Sequence, residues 1–193
     1  MTLTHINPNL TLPNLISGIR FITAPVMLWL AWNGYGKSFM LVLAIAFLSD
    51  VLDGFVARLT HQTTEFGAML DTWGDLVTYM TIGFGTWWLW PEIVHREDLY
   101  LYTIVACFVI PALFATIKFD TYISYHTHGI RVAAVSIGLS LYPLFLGGPS
   151  WPFRIAVFIY VIAAIEEMAI TFTLSKLQSN VRSIWHVFQQ RQS

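Results

Sequence analysis

The chain has 193 residues, 56% of them hydrophobic and 11% charged, with a formal net charge of −1 and a mean hydropathy of +0.62. So few charges cannot cover a water-soluble domain of this length, and the composition is that of an integral membrane protein. With no basic block and no low-complexity arm, it argues against nucleic acid as a partner.

The first residues, MTLTHINPNLTLPN, lack the basic start, apolar core and small-residue cleavage site of a secretory signal. Apolar stretches long enough to cross a bilayer follow over roughly 14–33, 37–58, 67–90, 99–118, 131–147 and 152–175. NGYGKS, LTHQTTEF, PEIVHRED, KFDTYISYHTHGIR and GGPSWP separate them, each rich in Gly, Pro or polar residues. The expectation is an all-α bundle of six transmembrane helices in one domain over 1–193, without an internal repeat. Cys107, alone in an apolar run, reads as a small packed side chain. Beyond Leu174, Val181, Ile184, Trp185 and Phe188 share one helical face, with Arg182, Gln189 and Arg191 opposite. That pattern predicts a C-terminal interfacial amphipathic helix on the inner membrane surface.

The basic residues orient the bundle. With the amino terminus cytoplasmic, Arg20, Arg58, Lys118, Arg131, Lys176, Arg182 and Arg191 fall inside, and Lys37, Arg96 and Arg154 outside. Trp87, Trp88 and Trp90 then sit at the outer interface, where an aromatic belt forms.

Four acids break the apolar pattern. Asp50 and Asp53 are three apart near the inner end of the second span; Asp71 and Asp75 are four apart near the start of the third. Each spacing puts its pair on one helical face, and the short connection predicts antiparallel neighbours whose acid faces meet. A carboxylate near the bilayer centre costs roughly 2.5–3.5 kcal/mol, so four together imply a bound cation. All-oxygen donors favour two hard divalent ions, Mg²⁺ or Mn²⁺. Gly54 and Ala57 leave a groove beside Asp53, Arg58 offers a guanidinium for a phosphate, and Gly67 keeps the opposite wall low. Such a groove suits a metal-bound pyrophosphate. An ion-relay cluster in a transporter is the alternative of another class, and it gives no reason for the small residues and the arginine.

The string Asp50-x2-Asp53-Gly54-x2-Ala57-Arg58-x8-Gly67-x3-Asp71-x3-Asp75 resembles the signature of the CDP-alcohol phosphotransferases at every fixed position. Pro13-Asn14-x2-Ser17-x2-Arg20 is similar to the start of the first span in bacterial phosphatidylglycerophosphate synthases. The resemblance implies transfer of a substituted phosphate from a CDP-linked donor, commonly CDP-diacylglycerol, to an acceptor alcohol at the cytoplasmic face of the bacterial inner membrane, with release of CMP. It implies Asp50, Asp53, Asp71 and Asp75 as metal ligands, Asp75 also as the base on the incoming hydroxyl, and Gly54, Ala57, Arg58 and Gly67 as the cytidine and diphosphate site. Family members are usually homodimers.

The acceptor stays open. Glycerol 3-phosphate would need cations, for which Arg20, Lys118 and Arg131 are candidates, beside the more weakly indicated His61, His126 and His128. Glu166, adjacent to Glu167 in the last span, is a candidate for holding acceptor hydroxyls. LDTWGDLVTY departs from the phosphatidylglycerophosphate synthase subtype, lacking its Asp-Pro step and following lysine. Glycerol 3-phosphate is still the expected acceptor, with serine, an inositol phosphate and phosphatidylglycerol as the alternatives.

Overall fold

The computed structural model describes residues 11–60, 64–119 and 128–173, and every regular element among them is an α-helix. They are α1 (Leu12–Trp32), α2 (Gly36–Thr60), α3 (Glu65–Leu89), α4 (Pro91–Arg96), α5 (Asp98–Phe119), α6 (His128–Phe145) and α7 (Trp151–Thr173). Leu12–Trp32, Gly36–Ala57, Asp98–Phe119 and Trp151–Thr173 are long and apolar enough to cross a membrane, while the apolar part of α6, Gly129–Phe145, is shorter. At 25 residues α3 has the length to span, about 37 Å at 1.5 Å per residue. Its aspartates, threonines and glycines keep it out of that set of long apolar helices. The expected tail helix around Val181–Phe188 lies outside the described residues.

Residues up to Val94 form one compact unit and those from His95 a second. In the first, Thr11 caps α1 by accepting the N–H of Asn14 (3.4 Å). Pro13 follows in the first turn, where a missing N–H breaks no helical bond. Asn14, Ser17, Arg20, Ala24, Met27 and Ala31 recur every three or four residues and form the buried stripe of α1. Gly34, with φ 77°, supplies the left-handed residue that turns the chain into α2. The short connection suggested that α2 and α3 pack directly on one another. Instead α1 packs along both, and α2 and α3 touch only lightly. One such touch is the Phe39 ring, fully buried against Gly85, where a methyl group would have no room.

In the second unit α7 packs against α5 and α6. Glu97, just before α5, is fully buried. Arg154 of α7 donates to it from Nε (2.9 Å) and Nη2 (3.2 Å), and Arg96 donates from Nε (3.1 Å). The Arg154 guanidinium also lies over the Tyr100 ring, 5.2 Å from its centre. Two of the three basic residues expected at the outer end are thus held by one acid.

Burial alone would push the Glu97 carboxyl up, but hydrogen bonds from Arg154, Ser150 and Arg96 outweigh it and hold the pKa below the ordinary 4.5. A lowered folded-state pKa means that the stabilisation is complete above 4.5 and is lost as pH falls through the lowered value. Glu97→Gln is therefore expected to lower the melting temperature in detergent at neutral pH, with the gap to wild type narrowing on acidification. Melting curves across the acid range check this, and a gap independent of pH would refute it.

Candidate active site

Helical spacing sets Asp50 and Asp53 on one face of α2 and Asp71 and Asp75 on one face of α3, as expected. What brings the two pairs together is a side chain from α1. Arg20 is 1% exposed and reaches all four carboxylates. Its Nη1 donates to Asp50 Oδ1 at 2.6 Å and to Asp75 Oδ1 at 2.5 Å. Its Nη2 donates to Asp53 Oδ2 at 2.8 Å and to Asp71 Oδ1 at 2.7 Å. Each terminal nitrogen therefore joins one acid of α2 to one acid of α3. These are charge-assisted bonds at short range, the geometry for which a planar guanidinium is suited and a lysine is not.

Asp53 is the floor of the cluster, its side chain 6% exposed, while those of Asp50, Asp71 and Asp75 are 43%, 39% and 32% exposed and open the site to one side. Ser17, one turn before Arg20, donates its hydroxyl to Asp53 Oδ2 at 2.5 Å. Ser17 and Arg20 thus use the same face of α1, which accounts for the spacing of the Asn14, Ser17 and Arg20 motif. The Arg20 Nε is buried without a hydrogen-bond partner. A methyl group on Gly74 would come within 2.9 Å of that nitrogen, so the stem of Arg20 passes where α3 has no side chain.

The cluster has the donors for a hard cation. Asp50, Asp53 and Asp71 each offer a carboxylate oxygen, and these atoms lie within 4.8 Å of one another. One guanidinium offsets only one of four negative charges. That excess of negative charge and the all-oxygen donor set fit a metal cation of the hard kind.

Other residues singled out from the sequence sit as follows. Gly54 and Ala57 are half-buried on α2, and Arg58 is on the same helix with its side chain outside the described residues. Gly67 does more than keep a wall low. Its N–H donates to the Thr64 hydroxyl that caps α3 (2.9 Å), and a methyl group there would come within 2.6 Å of Asn14 Oδ1. Asn14 in turn donates to Thr64 Oγ1 at 3.4 Å, fastening the start of α3 to α1.

Lys118, Arg131 and Glu166 belong to the second unit. The Lys118 ammonium is engaged on α7, donating to the carbonyls of Thr171 and Phe172, each at 2.9 Å. Arg131 is exposed on α6. Glu166 Oε2 stands 2.9 Å from where a methyl group on Gly129 would lie, so it reaches the first turn of α6. His61, His126 and the His128 side chain lie outside the described residues. Two participants were missed from sequence: Arg20 as the centre of the acid cluster, and Gly74 as the space that admits it. The signals were the shared helical face of Asn14, Ser17 and Arg20, and a mid-helix glycine beside an acid.

Residues 10–174 match the family described as CDP-alcohol phosphatidyltransferase. A probable phosphatidylglycerophosphate synthase of Mycobacterium tuberculosis is 29% identical over 176 residues, 83% of this chain and 77% of that protein. A CDP-diacylglycerol--glycerol-3-phosphate 3-phosphatidyltransferase of Pseudomonas fluorescens is 39% identical over 69 residues, 34% of this chain and 35% of its own. A CMP-forming cardiolipin synthase of Streptomyces coelicolor is 34% identical over 105 residues, 48% of this chain and 49% of its own. Against these last two, the chain spans about a third to a half of the relative's length. No solved structure matches the chain.

Gly67→Ala is expected to destabilise the protein by about 1–3 kcal/mol, because the methyl group would press on Asn14, which cannot retreat without giving up its hydrogen bond to Thr64, and on the capping Thr64 hydroxyl itself. Thermal melting in detergent checks this, and a wild-type melting temperature would show that the contact yields freely.

Proposed function

Because the chain belongs to the CDP-alcohol phosphatidyltransferase family, we propose that it is a membrane enzyme that moves a phosphatidyl group from CDP-diacylglycerol to an acceptor alcohol and releases CMP. The observation that carries this reading is the convergence of Asp50, Asp53, Asp71 and Asp75 on one point, with their charge incompletely offset by Arg20.

Asp50, Asp53 and Asp71 would hold divalent cations, Mg²⁺ or Mn²⁺, and Asp75 would complete the second of two positions. When bound, the cations supply charge neutralisation at the diphosphate. The rest is the work of this chain's own groups. Gly54 and Ala57 let the donor lie close along α2, Arg58 pairs with its diphosphate, and Gly67 borders the nucleotide from the start of α3. Asp75 takes the proton of the acceptor hydroxyl, whose oxygen forms the new bond to phosphorus as the bond to the CMP oxygen breaks. The negative charge that develops leaves with CMP.

The same reading takes α3 and α6 as the remaining spans of a six-helix membrane domain over residues 1–193, with the tail as an interfacial helix. The acid cluster then faces the cytoplasm from the inner membrane, in a homodimer. Glycerol 3-phosphate is the preferred acceptor, supported by the names of the Mycobacterium and Pseudomonas relatives. By residue type alone, Arg131 is the candidate for its phosphate and Glu166 the candidate for its hydroxyls. The Streptomyces relative favours phosphatidylglycerol as the second reading.

CMP release by the purified protein, with CDP-diacylglycerol, Mg²⁺ or Mn²⁺ and each of glycerol 3-phosphate, phosphatidylglycerol, serine, inositol and inositol phosphate, tests the assignment. Release should depend on a single acceptor. Asp71→Asn and Asp75→Asn should each reduce it by roughly 10³-fold or more, as expected where a metal ligand or general base is lost. Full activity in either folded variant would sink the roles assigned to these two acids. Solute movement across sealed vesicles without CMP release would favour a transporter instead.

A further inference from the structure

Arg20 stands outside the eight-residue acid signature, and Gly74 is one of the variable positions between Asp71 and Asp75. Yet the two together account for how the carboxylates are held. Each of the four acids gives Arg20 one oxygen: Oδ1 of Asp50, Asp71 and Asp75, and Oδ2 of Asp53. A carboxylate has two oxygens, so each acid keeps a second one that Arg20 does not use. The two terminal nitrogens of a guanidinium are held rigidly apart by the planar carbon between them. Pinning Asp50 with Asp75 on one and Asp53 with Asp71 on the other therefore sets the spacing of the two pairs, as well as joining α2 to α3 within each pair. The two helices have little direct packing of their own to do this.

The stem of Arg20 is fixed with equal care. Its Nε and Cζ lie 2.9 and 3.0 Å from where a methyl group on Gly74 would be. A long side chain could ordinarily swing aside from such an intrusion. This one cannot without giving up four ion pairs, since its far end is bound on both sides and the whole residue is 1% exposed. The burial of Nε without a partner fits the same view: the side chain approaches end-on, with every bond placed through the terminal nitrogens.

We propose that Arg20, seated on Gly74, is the positioning residue of the acid site: it orients the four carboxylates from behind so that their remaining oxygens form a ready-made divalent-cation site. The inference rests on the reading of the acids as cation ligands, and it assigns Arg20 away from the acceptor role considered from the sequence. Groups that orient metal ligands commonly tune affinity roughly 10–100-fold. Lysine at position 20 keeps the charge but offers one nitrogen, which can serve one acid pair and not both. Alanine at position 74 keeps the arginine but displaces it.

The test is Mn²⁺ binding to the purified full-length protein in detergent, followed by the electron paramagnetic resonance of free and bound Mn²⁺, with melting temperature recorded for every variant. Arg20→Ala should weaken Mn²⁺ binding roughly 10–100-fold. Arg20→Lys should fall between it and wild type, and Gly74→Ala should weaken binding with the guanidinium still present. Millimolar guanidinium should restore part of the affinity of Arg20→Ala, which a merely structural loss would not allow. If Arg20→Ala does not fold, Arg20→Lys and Gly74→Ala carry the comparison. Unchanged or tighter Mn²⁺ binding in folded Arg20→Ala would mean that the guanidinium competes with the cation, and would overturn the proposal. So would wild-type affinity in folded Gly74→Ala or Arg20→Lys, or a wild-type protein that binds no Mn²⁺. CMP release from the same preparation is read separately: Arg20-dependent Mn²⁺ binding without CMP release keeps this inference and removes the transferase.

Discussion

Four carboxylates gathered in a largely apolar setting repel one another by about 4 kcal/mol per pair at 4 Å and an effective dielectric of 20. The first compact unit is built around a guanidinium that opposes this repulsion. Arg20 comes from α1, the acids from α2 and α3, and α1 is the helix that packs along both of the others. The capping hydroxyl of Thr11, the buried stripe from Asn14 to Ala31 and the Ser17 bond to Asp53 all place that one side chain at the right depth. One positive charge against four leaves the cluster strongly negative, which makes it foldable and still attractive to divalent ions.

The second unit solves the converse problem with the same chemistry. There one buried acid, Glu97, is held by Arg154 and Arg96, and Lys118 donates to backbone carbonyls of α7. Polar groups that lie among apolar helices cannot rely on water, so partners are brought from other helices. Small residues make the room. Gly67 meets Asn14, Gly74 meets Arg20, Gly85 meets the ring of Phe39 and Gly129 meets Glu166. In each case a helix without a side chain at that point receives a larger one from its neighbour, a pattern common where helices pack within a membrane.

Much of this could be read along the chain. Apolar runs of span length located the helices, because a membrane-crossing helix must satisfy its backbone internally and present carbon to lipid. Asp50 with Asp53, and Asp71 with Asp75, could be assigned to shared faces because 3.6 residues per turn is a local property. The eight-residue signature indicated the family for the same reason: all of its positions lie within one helical hairpin, and spacing along the chain preserves them.

Contacts between helices distant in sequence left no comparable trace. The order of residues puts Arg20 on one helical face with Asn14 and Ser17, but does not say whether that face meets water or an acid cluster. Arg20 reached its place because α1 lies against both acid helices, and that follows from the fit of three buried faces. Gly67 and Gly74 are equally silent as letters, because the role of a glycine is set by what enters the space it leaves. Lys118 could be assigned to a charged connection, but its engagement with Thr171 and Phe172 depends on α5 meeting α7. Helix type and the chemistry of the acids are carried by local spacing. The partner of each buried charge is a matter of packing, and packing exists only once the helices have met.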